Sequence, residues 1–95
     1  MGKRGYVYLL TNAKNTVIYT GVTNDLRCRI EEHKYGQGSS FTAHYRVIKL
    51  VYYEEFATIY DAIRREKQIK AGSRSKKVRL IEQLNPTWKE LAQEF

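Results

Sequence analysis

The sequence has little cysteine and proline, and it has no long apolar run. Cys28 is its only cysteine, which excludes an internal disulfide and a zinc site built on several thiolates. Pro86 is its only proline, and no linker divides the 95 residues, so we predict one domain over 1–95. Without about 18 consecutive apolar residues or a signal-peptide pattern at the start, we expect a cytoplasmic protein with no membrane partner.

Acidic residues are also scarce relative to basic ones. The chain has 17 lysines and arginines against 10 aspartates and glutamates, and its formal net charge is +7. This excess favours a polyanionic partner, and DNA is the partner we expect, with RNA as a further option. Charge alone would also suit a protein that needs only solubility. Basic residues crowd the later part of the chain and predict a contact surface for nucleic acid there: Lys70, Arg74, Lys76 and Lys77.

Two short segments near the start predict a β-hairpin. Residues 6–11 and 17–22 are rich in β-branched and aromatic side chains, and the polar stretch NAKN lies between them. Successive side chains of a strand point to opposite faces. If the aliphatic side chains of both strands share one core, Tyr8 and Tyr19 emerge together on the opposite face.

The rest of the chain predicts one more strand and four helices. Glycines and serines indicate a loop at 35–45, and the third strand has its best part at 47–53. Apolar spacing and capping residues predict helices at 23–34, 58–70 and 74–84, and a last helix that begins at Asn85 as its N-cap. The expected order is β-β-α-β-α-α-α, an α+β domain with a small three-stranded antiparallel sheet flanked by helices.

The first predicted helix carries an arginine and a histidine on nearly the same face. Leu26, Ile30 and His33 recur at helical spacing, and Arg29 lies one turn before His33 on nearly the same face. An arginine can bind a phosphate through two hydrogen bonds, and a histidine can move a proton near neutral pH. The ordinary alternatives, an exposed arginine and a half-buried histidine bonded to the backbone, stay open at this point.

Glu66 interrupts an apolar stripe on the helix predicted at 58–70, and Lys70 follows it one turn later. A carboxylate that points at the sheet needs a cation, a network of hydrogen bonds or an edge exposed to water. A glutamate that bends towards solvent, or one that pairs with Arg29 or Lys70, would also explain the pattern.

In combination these residues resemble the GIY-YIG nuclease superfamily, in its short standalone YhbQ-like group, which is similar to the N-terminal domain of UvrC-type excinucleases. Tyr6-Val7-Tyr8 corresponds to the first triplet of the family and Tyr19-Thr20-Gly21 to the second. The later signature of the standalone group is matched by Arg74, Lys76, Lys77, Leu80-Ile81-Glu82, Asn85-Pro86, Trp88 and Leu91.

This resemblance implies an endonuclease that hydrolyses DNA phosphodiester bonds, with a structure-specific role in DNA repair or recombination. It also implies Mg²⁺ as the cofactor, which Mn²⁺ could replace, and Glu66 as the metal ligand. Asn85 recurs in the pattern and is expected to contact substrate. The alternatives are a non-catalytic module that binds nucleic acid and a nuclease domain that needs a protein partner for targeting.

The resemblance assigns catalytic roles to four further residues. Arg29 falls on the family's arginine and would contact phosphate, and His33 falls on its histidine and would relay a proton or brace Tyr8. One of the two tyrosines would be the base, and the sequence does not decide which; we favour Tyr8 as the base and Tyr19 as the residue that positions the attacking water. An unperturbed phenol, with a pKa of about 10, is a poor base at neutral pH. We therefore expect either a lowered pKa or a role in orientation.

Overall fold

The computed structural model describes residues 4–35 and 40–94, and its centre is a three-stranded sheet. The strands are β1 (Gly5–Thr11), β2 (Ile18–Thr23) and β3 (Lys49–Phe56), in the order β2-β1-β3 with antiparallel pairs. The helices are α1 (Leu26–Lys34), α2 (Ser40–Tyr45), α3 (Ile59–Ala71) and α4 (Arg74–Leu84), followed by a 3₁₀ turn, Ala92–Glu94. The predicted α+β fold with a three-stranded antiparallel sheet is confirmed. In the described ranges, all helices are too short or too polar to cross a membrane.

The turn between β1 and β2 is built by asparagine side chains. The Oδ1 atom of Asn12 accepts a hydrogen bond from the backbone N–H of Val17 at 3.1 Å. Asn15 adopts a positive φ of 57°, a conformation that asparagine tolerates better than most residues. This turn sets the register of the hairpin, in which Tyr8 lies directly opposite Gly21.

Helices cover both faces of the sheet, and side-chain alternation decides which residue meets which layer. Val7 and Leu9 of β1 pack on the face covered by α3 and α4, together with Val51, Tyr52, Ala62, Ile69 and Ile81. The next residues along β1, Tyr8 and Leu10, point to the face covered by α1, together with Leu26, Ile30, Val47, Leu50 and Leu91. The predicted alternation is therefore confirmed.

The predicted last helix is wrong. Asn85 is the C-cap of α4, and its side chain accepts from the N–H of Lys89 at 3.1 Å and donates to the carbonyl of Lys89 at 2.9 Å. Trp88 takes a positive φ of 56°, which ends any helical path. The chain then runs along the outer edge of β3, where the N–H of Leu91 donates to the carbonyl of Leu50 at 2.8 Å. Hydrogen bonds to this edge strand thus replace those of a helix.

The predicted loop at 35–45 is also partly wrong, because its second half forms α2 (Ser40–Tyr45). Gly36 and Gly38 carried the loop prediction, whereas SFTAHY contains neither glycine nor proline and can form helical turns. Residues 36–39, like Phe95 of the predicted last helix, lie outside the described residues.

Candidate active site

Three aromatic side chains meet between the sheet and α1. The ring centroids of Tyr8 and Tyr19 lie 6.4 Å apart, and the ring of His33 lies 5.8 Å from Tyr8 and 5.6 Å from Tyr19. The Tyr8 hydroxyl and the Nε2 atom of His33 are hydrogen-bonded at 3.1 Å. Tyr8 is 1% exposed and His33 is 3% exposed. The structure therefore brings these three residues together, as the sequence predicts.

Helix α1 places His33 over the sheet because its start and its apolar face are well defined. Asp25 is the N-cap, and its side chain accepts a hydrogen bond from the backbone N–H of Cys28 at 3.1 Å. Leu26 and Ile30 then pack into the core at helical spacing, and His33 is the next residue on that face. The buried position of His33 follows from this spacing.

Gly21 provides the space that the Tyr8 ring occupies. A Cβ atom built on Gly21 would lie 2.8 Å from Cε2 of Tyr8 and closer still to its Cζ and hydroxyl oxygen. Directly opposite residues of an antiparallel pair have neighbouring Cβ positions, so only a residue without a side chain leaves room for the ring there. Sequence reasoning placed Gly21 in a motif but did not identify this packing role; the signal was its position across the hairpin from Tyr8.

Arg29 reaches the same site from α1. Its Nε atom is buried and hydrogen-bonds to none of the described residues, and the nearest carboxylate oxygen, on Glu32, lies 3.6 Å away. The side chain as a whole is 43% exposed. A buried N–H without a partner is unfavourable, so this guanidinium is suited to receive an oxygen of a ligand.

The Tyr8 hydroxyl is a neutral phenol in the protein without substrate. Burial raises the pKa of Tyr8 well above its ordinary value, and the neighbouring Tyr19 raises it further. The charge of Arg29 acts in the opposite direction, and Glu66 adds to the increase. Of the two expectations, the lowered pKa is therefore wrong for this state, since desolvation outweighs the nearby cation, and the role in orientation stays a prediction.

His33 is also held in its neutral form, and this has a consequence for stability. Burial lowers the pKa of His33 below its ordinary value of about 6.5, Arg29 lowers it further, and Glu32 opposes the change. The unfolded chain takes up a proton as the pH falls through about 6.5, whereas the folded chain resists it. The free energy of unfolding should therefore fall from pH 6.5 towards the lower pKa of the folded state.

We predict that His33→Gln flattens this dependence, as measured by urea denaturation at pH 7.5, 6.5 and 5.5. Glutamine does not titrate and can still bond to Tyr8. The matched control is His44→Gln, which removes the exposed histidine of α2 and should keep the slope of the unaltered protein. A steep dependence that survives in His33→Gln would contradict the prediction.

Glu66 lies on α3 in an ion pair with Lys70. The Nζ atom of Lys70 is 2.9 Å from Oε2 of Glu66, and the side chain of Glu66 is only 13% exposed. The sequence left open whether Arg29 or Lys70 would pair with this carboxylate, and the structure selects Lys70. In the described part of the chain, no group of three or more His, Cys, Asp or Glu side chains is placed to hold a metal ion.

The remaining predicted substrate contacts lie around α4. A groove of about 260 Å³ between α3 and α4 is lined by Lys76, Lys77 and Arg79 above an apolar floor of Ile69 and Leu80. The structure therefore brings two of the predicted lysines together in one basic groove.

Two other predicted contacts are engaged within the protein. Arg74 donates to the backbone carbonyl of Asn15 at 3.2 Å, which connects α4 to the hairpin turn. Asn85 is 2% exposed and donates to the carbonyl of Val51 at 3.1 Å, in addition to its bonds with Lys89. We assign Asn85 a structural role and leave it out of the proposed interface.

Comparisons with known proteins agree with this fold. The chain is 42% identical over 76 residues to a UPF0213 protein of Staphylococcus saprophyticus, across 80% of this chain and 92% of the relative. A UPF0213 protein of Staphylococcus haemolyticus is 40% identical over 78 residues, across 82% of this chain and 94% of the relative. The solution NMR structure of a UPF0213 protein from Bacillus halodurans has a TM-score of 0.58 and 31% identity, with 92% of each chain covered. The family model of the GIY-YIG catalytic domain matches residues 4–79, and the chain therefore belongs to the GIY-YIG family, in its short standalone group.

Proposed function

We propose that this protein is a Mg²⁺-dependent endonuclease that hydrolyses phosphodiester bonds in DNA, with Mn²⁺ as a substitute ion and DNA repair or recombination as its setting. The observation that carries the proposal is the buried hydrogen bond between Tyr8 and His33, beside Tyr19 and within the electrostatic field of Arg29 and Glu66. A proton acceptor, an arginine for phosphate and a carboxylate for a metal are the groups that phosphodiester hydrolysis requires.

The donor set fits Mg²⁺ better than an ion that demands several protein ligands. Mg²⁺ is often held by one or two carboxylates and completes its shell with water and substrate phosphate. Glu66 is a single, largely buried carboxylate that already attracts a cation, Lys70. Glu66 would hold the ion, and when bound the ion would supply positive charge to the phosphate and make water more acidic.

The proposed proton path uses the pair of neutral groups described above. Tyr19 orients the attacking water, and Tyr8 accepts a proton from that water while it donates its own hydroxyl proton to Nε2 of His33. In this path the neutral ring of His33 is the tautomer that carries its N–H proton on Nδ1. Because His33 is neutral near pH 7, it has a lone pair available for the proton that arrives. The raised pKa of Tyr8 is consistent with transfer through a phenol that does not ionise beforehand.

Arg29 would bind the phosphate that is attacked. Its buried Nε–H has no hydrogen-bond partner among the described residues, and a phosphate oxygen would supply one. The guanidinium would then stabilise the negative charge that grows on the phosphoryl oxygens in the transition state.

The proposal is tested with a panel of labelled DNA and RNA substrates that includes single strands, duplexes, flaps and branched junctions. We expect cleavage of DNA in Mg²⁺, and its loss in EDTA while binding persists. Equal cleavage in EDTA would contradict the metal dependence. Binding without cleavage of any substrate in either Mg²⁺ or Mn²⁺ would favour the non-catalytic binding module.

A further prediction concerns the basic groove between α3 and α4. Replacing Lys76 and Lys77 with alanine should weaken binding to all DNA sequences alike, because lysines there would meet phosphates rather than base edges. The slope of log affinity against log salt should decrease by roughly 1 to 2 units if both lysines contact phosphate. The matched control replaces two exposed lysines elsewhere, Lys14 and Lys89, at equal loss of charge. If the two double variants show the same salt dependence of DNA affinity, the groove is not part of the DNA-binding surface.

A further inference from the structure

Lys70 forms an ion pair with Glu66, whose carboxylate is the proposed metal ligand. Its ammonium group lies 2.9 Å from Oε2 of Glu66, a typical distance for a charge-assisted hydrogen bond, and the side chain of Glu66 is 13% exposed. A glutamate four residues before a lysine on a helix is also the favourable order for such a pair. In the protein without metal, Lys70 is therefore the cation that partners the ionised carboxylate of Glu66.

The two side chains of the pair differ in their freedom to move. Glu66 lies in the apolar stripe of α3, whereas the side chain of Lys70 is 54% exposed and has a flexible four-carbon stem. A divalent ion on Glu66 would lie within a few ångströms of the ammonium group, where two positive charges repel each other strongly. The exposed side chain of Lys70 can turn towards solvent at small cost. The carboxylate of Glu66 has less freedom to move away, because its side chain is largely buried.

We infer that Lys70 is a resident counter-cation which the metal ion must displace from Glu66, and that the displaced ammonium group then becomes available to a substrate phosphate. This inference rests on the proposed metal site. Its consequence is coupling: Lys70 competes with the metal when no substrate is present and favours the substrate once the metal is bound. Metal and nucleic acid should therefore strengthen each other's binding.

The test is the affinity for Mn²⁺ alone, measured by titration with electron paramagnetic resonance detection in the absence of nucleic acid. Lys70→Met keeps a long side chain and good helix propensity but removes the competitor, so we expect Mn²⁺ to bind about 2- to 5-fold more tightly. The matched control is Lys67→Met on the same helix, which loses the same charge. Lys67 is adjacent to Glu66 in sequence, and adjacent helix residues do not face each other, so we expect a change below about 2-fold.

A second measurement uses the unaltered protein and does not depend on a variant that folds. The ammonium resonance of Lys70 in an NMR spectrum should lose the signature of an ion pair as Mg²⁺ is added, whereas that of Lys67 should stay unchanged. Equal Mn²⁺ affinity in Lys70→Met and Lys67→Met, or a Lys70 resonance that ignores Mg²⁺, would overturn the inference. If Mn²⁺ binding by the unaltered protein persists in Glu66→Gln, the proposed metal site itself fails, and the two failures are thus distinguishable.

Discussion

Glu66→Gln should fold, bind DNA in EDTA and lose Mg²⁺-dependent cleavage by more than about 100-fold. Loss of an outer partner of a metal site already costs about 10- to 100-fold, and Glu66 is the proposed direct ligand. Glutamine has nearly the same shape as glutamate, so the packing of α3 stays intact. Loss of the partly exposed ion pair with Lys70 should cost about 0.5 kcal/mol, or about 2–4 °C in melting temperature.

The matched control is Glu54→Gln, which removes a carboxylate that takes no part in the proposed chemistry. Glu54 accepts hydrogen bonds at 3.1 Å from both Nε and Nη2 of Arg65, and Arg65 is less exposed than Lys70, the partner of Glu66. We expect Glu54→Gln to be the less stable variant and yet to cleave DNA below its melting temperature. Full cleavage by folded Glu66→Gln would refute the metal site. If Glu66→Gln and Glu54→Gln lose cleavage equally, the loss comes from lower stability and not from a missing metal ligand.

Gly21→Ala should damage both stability and catalysis, because the added methyl group enters the space of the Tyr8 ring. Tyr8 is 1% exposed and packed against α1, so the ring has little room to retreat. Overpacking of a core costs about 1–3 kcal/mol, which corresponds to roughly 5–20 °C in the melting temperature of a domain of this size. A displaced Tyr8 hydroxyl also loses its hydrogen bond to His33, and misplacement by about 1 Å can cost about 100-fold in rate.

Thermal unfolding and cleavage assays on three variants separate these two effects. Gly72→Ala is the matched glycine control, since its new Cβ would lie 3.4 Å or more from its neighbours; its melting temperature should be unchanged or slightly raised. Tyr8→Phe removes only the hydroxyl, and should lose cleavage while it keeps most of its stability. If Gly21→Ala melts and cleaves like the unaltered protein, the close packing of Tyr8 over this glycine is not a requirement of the site.

Local patterns in the sequence determined the fold class and the composition of the candidate site. The alternation of side chains in the hairpin placed Tyr8 and Tyr19 on one face, and helical spacing placed His33 on the buried side of α1. Both periodicities are properties of the backbone itself and need no knowledge of distant residues. The family that the motif positions resemble is confirmed by the match of the family model to residues 4–79.

The C-terminal segment was decided by contacts that no local pattern contains. A capping asparagine followed by proline is typical of a helix start, but Asn85 lies at a helix end. Its side chain is bonded to Val51, 34 residues away in sequence, and Leu91 pairs with the edge of β3. These long-range hydrogen bonds satisfy backbone carbonyls of β3 that a C-terminal helix, bonded within itself, would not have paired.

The electrostatics of the site were likewise decided only by the tertiary structure. The sequence indicated cations near Tyr8, which made a lowered pKa one of two expectations, but burial beneath α1 dominates and raises the pKa. It offered Arg29 and Lys70 equally as partners of Glu66, and the structure selects Lys70. Residue types and spacing determine which charged groups are available, whereas desolvation and distance, which set the energies, exist only once the sheet and helices have packed together.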